Sequence, residues 1–300
     1  MILVAGEALI DLLISPDGEV SAALGGAPFN TARACSRLGG DVTFLGAISI
    51  DRFGQMLATQ LTDDGVGLDH AARVDLPTTL AAAELDEHGS ATYRFYVDGT
   101  SAPALDRLPT LRSEPAPEFI FTGGLGLVLE PMASVIEELI EACSESTVVM
   151  IDVNCRPLLI DDRASYVRRV FAMVAATAVV KVSTDDLAYL APDSDVLDAA
   201  RSLLTAGAIV VLLTDGSGDV RILTADGERS VPVPKVEVVD TIGAGDTFGG
   251  AALAWFAANG CSRQDLASID VVSPAVEFAV RAASIACQRA GADPPWAHEM

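Results

Sequence analysis

Short runs of aliphatic and β-branched residues alternate with longer amphipathic stretches along most of the chain, and no other feature constrains the fold as much. This is the pattern of βα units wound around a mostly parallel sheet. Strands are predicted at 2–6 (ILVAG), 42–46, 119–122, 148–153, 179–182 and 209–214, with helices near 28–38, 53–64, 131–143, 163–175 and 195–206. The expected class is α/β, with a large doubly wound sheet. Two segments break the alternation, 12–24 and 78–96, the second with extended runs on either side of a turn at Asp86 to Gly89. They predict a small β flap inserted in the first third, covering approximately 12–24 and 78–98. A Pro-rich stretch from Pro103 to Pro117 then returns the chain to the main sheet. With no internal repeat and no low-complexity linker, residues 1–300 read as one domain carrying that flap, not two domains in tandem.

Composition narrows the function classes. Half of the residues are hydrophobic and 20% are charged, which is ample material for a large core and argues against disorder. The 42 acidic residues against 19 basic ones leave a net charge of −23, a field that repels phosphate backbones and anionic headgroups. Nucleic acid and membrane surfaces are therefore not expected as partners. Lys181 and Lys235 are the only lysines, so an anion site must rest on arginine, on those two side chains or on backbone N–H groups. The N-terminus lacks a basic n-region and meets Glu7 and Asp11 early, so the mature chain is expected to start here. Cys35, Cys143, Cys155, Cys261 and Cys287 are odd in number and lack a C-x-x-C pattern, as expected of reduced thiols in a cytoplasmic protein. The three histidines are isolated and form no H-E-x-x-H, which argues against a zinc enzyme.

The sharpest local signal is DTIGAGDTFGGAALAWFAANG at 240–260. Gly243, Ala244 and Gly245 carry little side-chain bulk and precede a helical pattern that begins near Thr247, so their N–H groups can converge on an anion at the positive end of a helix. Asp246 sits in the mouth of that cradle, a poor choice for phosphate affinity but a sound one for a general base that deprotonates an attacking hydroxyl. The same residues also suit a glycine-rich helix start with Asp246 as a first-turn acid. A dinucleotide fingerprint would follow the first strand, whereas this motif comes late, and neither lysine follows a glycine as a Walker A loop requires.

A second constellation joins Asp11, just after the first strand, to GGAPFNTARACSRLGGDVTFLG at 25–46. Gly25 and Gly26 allow close approach of a ligand to the backbone, and Asn30 falls in the first turn of the next helix. A carboxylate and an amide together suit the vicinal hydroxyls of a neutral polyol. A capping pair at a βα turn remains the alternative for Asp11 and Asn30. Arg33 and Arg37, four residues apart, read as the outer face of that helix.

These residues carry a resemblance. Gly25 to Gly46, with DRFG at 51–54, resembles the first signature of the ribokinase-like (PfkB) carbohydrate kinases, and DTIGAGDTF at 240–248 resembles the second. Between them, DVNCRPLL at 152–159, VVKVSTDDLAYL at 179–190 and LLTDGSGDV at 212–220 are similar to the family's middle segments, and CQRAGADPP at 287–295 to the end of its fructokinase branch. The resemblance implies a ribokinase-like fold, a central mostly parallel sheet flanked by helices with a β lid over the sugar. It implies Asp246 as catalytic base and the N–H groups of Gly243, Ala244 and Gly245 as the anion hole. Asp11, Gly26 and Asn30 would hold the sugar, and Arg156 would reach a substrate oxygen or phosphate. Thr214, Gly216 and Gly245 would line the nucleotide pocket. Lys181 reads either as a cation on the nucleotide side or as an ordinary strand-end residue. Asp186 falls where the family has a glutamate that organises Mg2+ through water, and Ser183 where many members have asparagine. Many members also bind a monovalent cation such as K+ beside the hole, though Pro295 stands where several have serine. Leu159 replaces a tryptophan frequent in fructokinase-like chains.

The expected activity is ATP-dependent phosphorylation of a sugar, D-fructose to fructose 6-phosphate. Other readings are a ribokinase-like kinase of another substrate, such as 2-keto-3-deoxygluconate or a nucleoside, and a sugar-binding protein of this fold that has lost transfer. The cofactors would be ATP and Mg2+, the partners sugar, ATP and a second copy of the chain through the lid.

Overall fold

The computed structural model describes the chain except for residues 86–90, 109–115 and 144, so the turn expected at Asp86 to Gly89 lies outside the described residues. The chain enters through β1 (Ile2–Ala5), runs through β2 (Leu9–Ile14) and β3 (Val20–Gly25), and turns into α1 (Ala27–Arg37), which starts on Gly26 with Pro28 in its first turn. It continues through β4 (Val42–Leu45), β5 (Ala47–Ser49), α2 (Arg52–Asp63), β6 (Ala72–Val74), β7 (Leu80–Leu85) and β8 (Ala91–Tyr96). Regular βα alternation follows: β9 (Phe119–Gly123), α3 (Met132–Glu141), β10 (Val148–Asp152), α4 (Arg163–Val174), β11 (Val179–Ser183), α5 (Thr184–Leu190), α6 (Val196–Ala206) and β12 (Val210–Thr214). The hairpin β13 (Val220–Thr224) and β14 (Gly227–Val231) precedes α7 (Ala244–Ala258) and α8 (Ile269–Ala286).

Among the described residues the main sheet has eight strands in the order β14-β13-β12-β11-β10-β9-β1-β4, parallel from β4 to β12 with an antiparallel edge at β13 and β14. Alternate strand residues feed two cores. Ile2, Val4, Phe119, Phe121, Val148 and Met150 pack with α1, α2, α7 and α8 on one face. Leu3, Ile120, Val149, Ile151 and Val180 pack with α3, α4 and α6 on the other. Strand order reverses at β1, with β4 on one side and β9 on the other, and a crevice at the carboxyl ends of strands beside such a switch is the usual ligand site of an open α/β sheet.

The segments that break the βα pattern form a separate four-stranded sheet, β3-β2-β7-β8. Asp11, Ala23, Ala81 and Phe95 are register partners across it, as are Leu13, Ser21, Ala83 and Tyr93, so by period-two alternation these two rows share one face. Sequence periodicity anticipates the parallel strands and five of the helices to within a few residues; it does not anticipate α5, α8 or the β13–β14 hairpin. No described helix is long and apolar enough to cross a membrane.

Candidate active site

Period-two alternation places Asp152 on the α7 side of β10, in line with Val148 and Met150. Its register partner on β11 is Lys181, and the two side chains meet at 2.7 Å. Both are buried. Burial works against each charge. The Asp152 carboxyl is pushed up despite the ammonium, while Asp152 and its neighbours more than offset desolvation and raise Lys181. One oxygen, Asp152 Oδ1, is buried with no hydrogen-bond partner among the described residues.

The start of α7 lies above this pair. Gly243 is its N-cap, in the left-handed region (φ 72°, ψ 3°), and a Cβ built on Gly245 would lie 3.3 Å from Lys181 Nζ. Among the described residues no backbone carbonyl accepts from the Gly243 or Gly245 N–H, whereas the Ala244 N–H donates to Thr241 O at 3.2 Å. Gly243 and Gly245 are thus the open donors of the expected three.

Asp246, in the first turn of α7, accepts a hydrogen bond on Oδ2 from Asn30 Nδ2 at 2.9 Å, and Thr31 Oγ1 donates to its backbone carbonyl at 3.4 Å. Burial, as the leading cause, pushes its carboxyl up to about 6. Asn30 Oδ1 is a second buried acceptor without a partner among the described residues. The N-termini of α1 and α7 can come this close because Gly250 has no side chain: a Cβ there would sit 2.6 Å from Thr31 O and 2.8 Å from Ala34 Cβ. Sequence reading assigns Asn30 to the sugar; here its amide nitrogen holds Asp246 and only its oxygen is left open.

Asp11 approaches from the side sheet, with its carboxylate in the space left by Gly25, where a Cβ would come within 1.9 Å of Oδ2. Burial pushes this carboxyl up to about 6, opposed by the field of Arg156. The Arg156 guanidinium donates to Asn154 O, Asn154 Oδ1 and Cys155 O, forms no ion pair with a described residue, and acts electrostatically on Glu7, Asp11, Asp152 and Asp246. Glu7, just after β1, accepts from the N–H groups of Ala27 and Gly126 and is pushed by burial up to about 7. A Cβ on Gly26, the α1 N-cap, would lie 2.8 Å from Glu7 O, so only glycine lets the backbone turn there.

Apart from Asp11, these groups lie at the carboxyl end of the parallel strands or at a helix start facing it. One family model, pfkB family carbohydrate kinase, matches residues 1–299. The chain belongs to the PfkB family of carbohydrate kinases. Among its relatives is a fructokinase of Rhizobium leguminosarum bv. trifolii, 36% identical over 277 residues that cover 90% of this chain and 84% of the relative. A structure of fructokinase with bound ATP from Xylella fastidiosa superposes with a TM-score of 0.86 at 28% identity, covering 97% and 93% of the two chains. A fructokinase from Vibrio cholerae O395 in fructose, ADP and calcium ion bound form gives 0.84 at 26% identity, covering 97% and 94%. The fold of this PfkB chain is ribokinase-like, as the sequence resemblance implies.

The remaining expected site residues fall at the same edge. Thr214 closes β12 beside Ser183 of β11, and Gly216 follows it with φ 53°. Asp186 is committed to structure: with Ser183 it forms the capping box of α5, and its other oxygen accepts from the Cys155 N–H. The outer-face reading of Arg33 and Arg37 does not hold, since both are buried and share the carboxylate of Asp64. Asp152 was not singled out beforehand. The available signal was an apolar strand that ends in an acid, VVMID, beside another with an internal lysine, VVKVS.

The arrangement fits a nucleotide phosphate. A left-handed glycine turn with two open N–H groups, a buried ammonium and an orphaned carboxylate oxygen suit an anion that brings its own cation. Among the described residues no cluster of three or more acidic, His or Cys side chains could cage a metal, so an ion here would rest on one or two carboxylates, water and the phosphates themselves.

Proposed function

We propose that this chain transfers the γ-phosphoryl group of ATP to a sugar hydroxyl, with D-fructose as substrate and fructose 6-phosphate as product. The observation that carries the reading is the Asp246 carboxylate, tied on one oxygen to Asn30, free on the other, and set at the mouth of the Gly243 to Gly245 turn over the Asp152–Lys181 pair.

Asp11 accepts hydrogen bonds from vicinal sugar hydroxyls, Asn30 Oδ1 accepts one more, the Gly26 turn lets the ring approach the backbone, and Arg156 faces a substrate oxygen. Asp246 Oδ1 takes the proton of the attacking hydroxyl, the sugar oxygen bonds to the γ-phosphorus, and the bond to the β–γ bridging oxygen breaks to release ADP. The open N–H groups of Gly243 and Gly245, with Lys181 beneath them, stabilise charge on the transferred group. A carboxyl titrating near 6 is ionised at neutral pH yet basic enough to accept a proton in the transition state. Thr214 and Gly216 border the nucleotide. Asp152, through its open oxygen, and Asp186, through water, would hold Mg2+, which would supply positive charge against the phosphates, and a monovalent ion such as K+ would sit beside the hole. The side sheet closes over the sugar, and a second copy of the chain packs on its face bearing Leu13 and Tyr93, both about half exposed.

An ADP-release assay with a sugar panel tests this. D-fructose with Mg·ATP should exceed 2-keto-3-deoxygluconate in kcat/KM by at least about tenfold, roughly 1.4 kcal/mol in transition-state binding, because the acid brings a carboxylate into a site already rich in acids. A panel won by the acid or by a nucleoside overturns the choice of sugar, and one with no ADP release for any acceptor overturns transfer.

A further inference from the structure

Arg33 and Arg37 leave α1 on its buried side, where Asp64, the C-cap of α2, accepts from both: Arg33 Nε at 2.6 Å and Arg37 Nε at 2.9 Å. Two guanidinium groups on one carboxylate leave donors to spare, and these reach the C-terminal segment. Arg33 donates to Ala292 O at 2.8 Å, while Arg37 donates to Pro294 O at 2.7 Å and to Asp293 Oδ1 at 2.6 Å and lies over the Trp296 ring at 4.8 Å. Ala292 in turn backs the glycine turn. A Cβ on Gly243 would lie 2.6 Å from Ala292 Cβ, so the two residues are packed in contact. The strand of chain before that turn is held by the same segment, through Gly291 N to Asp240 Oδ2 (2.9 Å) and Val239 N to Cys287 O (2.8 Å). Asn30, which holds Asp246, lies one helical turn before Arg33 on α1.

We propose that Arg33 is a positioning residue for phosphoryl transfer: by gripping Ala292 O it presses Ala292 against Gly243 and fixes the left-handed start of α7. One rigid helix then orients both parts of the machinery, Asp246 through Asn30 and the N–H cradle through Arg33 and Ala292. Arg37 shares the same carboxylate but reaches the segment one and two residues further on, at Asp293 and Pro294, so it anchors the terminus without touching the turn. This inference rests on the kinase reading for its catalytic meaning, but not for its structural one.

Three variants are compared, Arg33→Gln, Arg37→Gln and Ala292→Gly, by kcat and KM for fructose, thermal midpoint, and native-state amide exchange. Arg33→Gln should lower kcat by about tenfold or more with KM for fructose little changed, the scale expected when a preorganised group is displaced by a fraction of an ångström. It should speed exchange at Ala244 and Thr247, whose N–H groups close the turn on Thr241 O and Gly243 O. Arg37→Gln should lose comparable thermal stability while kcat stays within about twofold, since the turn keeps its backing. Ala292→Gly keeps every arginine contact and removes only the methyl against Gly243, so it should repeat the kcat loss with little loss of stability. If the Arg33 and Arg37 variants lose kcat equally, or if exchange at Ala244 and Thr247 is unchanged in both Arg33→Gln and Ala292→Gly, the positioning role is wrong. Wild-type inactivity on every acceptor would refute the kinase reading instead, and the exchange comparison would still decide whether Arg33 fixes the turn. If Arg33→Gln does not fold, Ala292→Gly decides alone.

Discussion

The floor of the site and the sheet beside it are built on opposite terms. In the floor, Asp152 and Lys181 lie buried as register partners, α1 and α7 are locked together at Gly250, and Asp152 Oδ1 and Asn30 Oδ1 are buried with no hydrogen-bond partner among the described residues. In the side sheet, β3 is exposed along most of its length, Leu13 and Tyr93 stand in solvent, and one residue of the candidate site, Asp11, projects from β2. A set of charges can be held without solvent only where nothing around it moves. A binding element that must let a sugar in and water out needs a face still free to be covered. Under the proposed function the floor carries transfer, while the side sheet adds Asp11 and cover to a sugar otherwise held by Asn30, the Gly26 turn and Arg156.

The sharpest way to break the floor is Lys181→Met, which leaves Asp152 buried without its cation. The expected cost is about 3–5 kcal/mol, the usual result of removing one partner of a buried pair. Its pH dependence has a definite sign. The folded Asp152 pKa is already raised and would rise further, so the folded variant holds a proton that the unfolded chain releases, and the deficit should grow as pH rises from 5 to 8. Chemical denaturation across that range checks it; a deficit independent of pH would mean that Asp152 is not the group left uncompensated. Gly243→Val is the next largest. A β-branched residue at φ 72° costs about 1–3 kcal/mol in backbone strain and collides with Ala292, so turnover should fall by about 10²-fold with fructose affinity kept. Unchanged rate and nucleotide affinity would remove Gly243 from the site.

The smallest effect sharpens the other side of the comparison. Adding fructose should slow amide exchange in the described parts of 12–24 and 78–98 while leaving 148–152 and 179–183 unchanged, because the floor is already closed. Equal protection of both regions with and without sugar would reduce the side sheet to a structural appendage.

The parallel strands and the glycine turn were legible because they depend on local rules: apolar runs of strand length, and small residues ahead of a helix. The place of Asp246 in the first turn of α7 was legible for the same reason. What escaped depends on partners far away in sequence. Arg33 and Arg37 look like an exposed face until Asp64 and the segment at 292–296 fold over them. Asn30 was read only as a sugar ligand, and its bond to Asp246 escaped because the two lie 216 positions apart. Lys181 was read either as a nucleotide-side cation or as a strand end, and only the β10–β11 register shows that it pairs with Asp152. Asp186 illustrates the converse, because Ser183 and Asp186 satisfy a capping rule that sequence alone could have supplied.

The central claim is that Asp246 is the base that makes this fold a kinase. Burial pushes its carboxyl up to about 6, so wild-type turnover of fructose with Mg·ATP should rise with pH through that value as the carboxylate ionises. The direct test is steady-state kcat of Asp246→Asn between pH 5 and 8, alongside fructose binding by calorimetry. The expected result is a loss of about 10²-fold or more in kcat at pH 8, fructose affinity nearly unchanged, and no rise in rate near pH 6. Turnover close to wild type, with the same rise still present, would contradict the account.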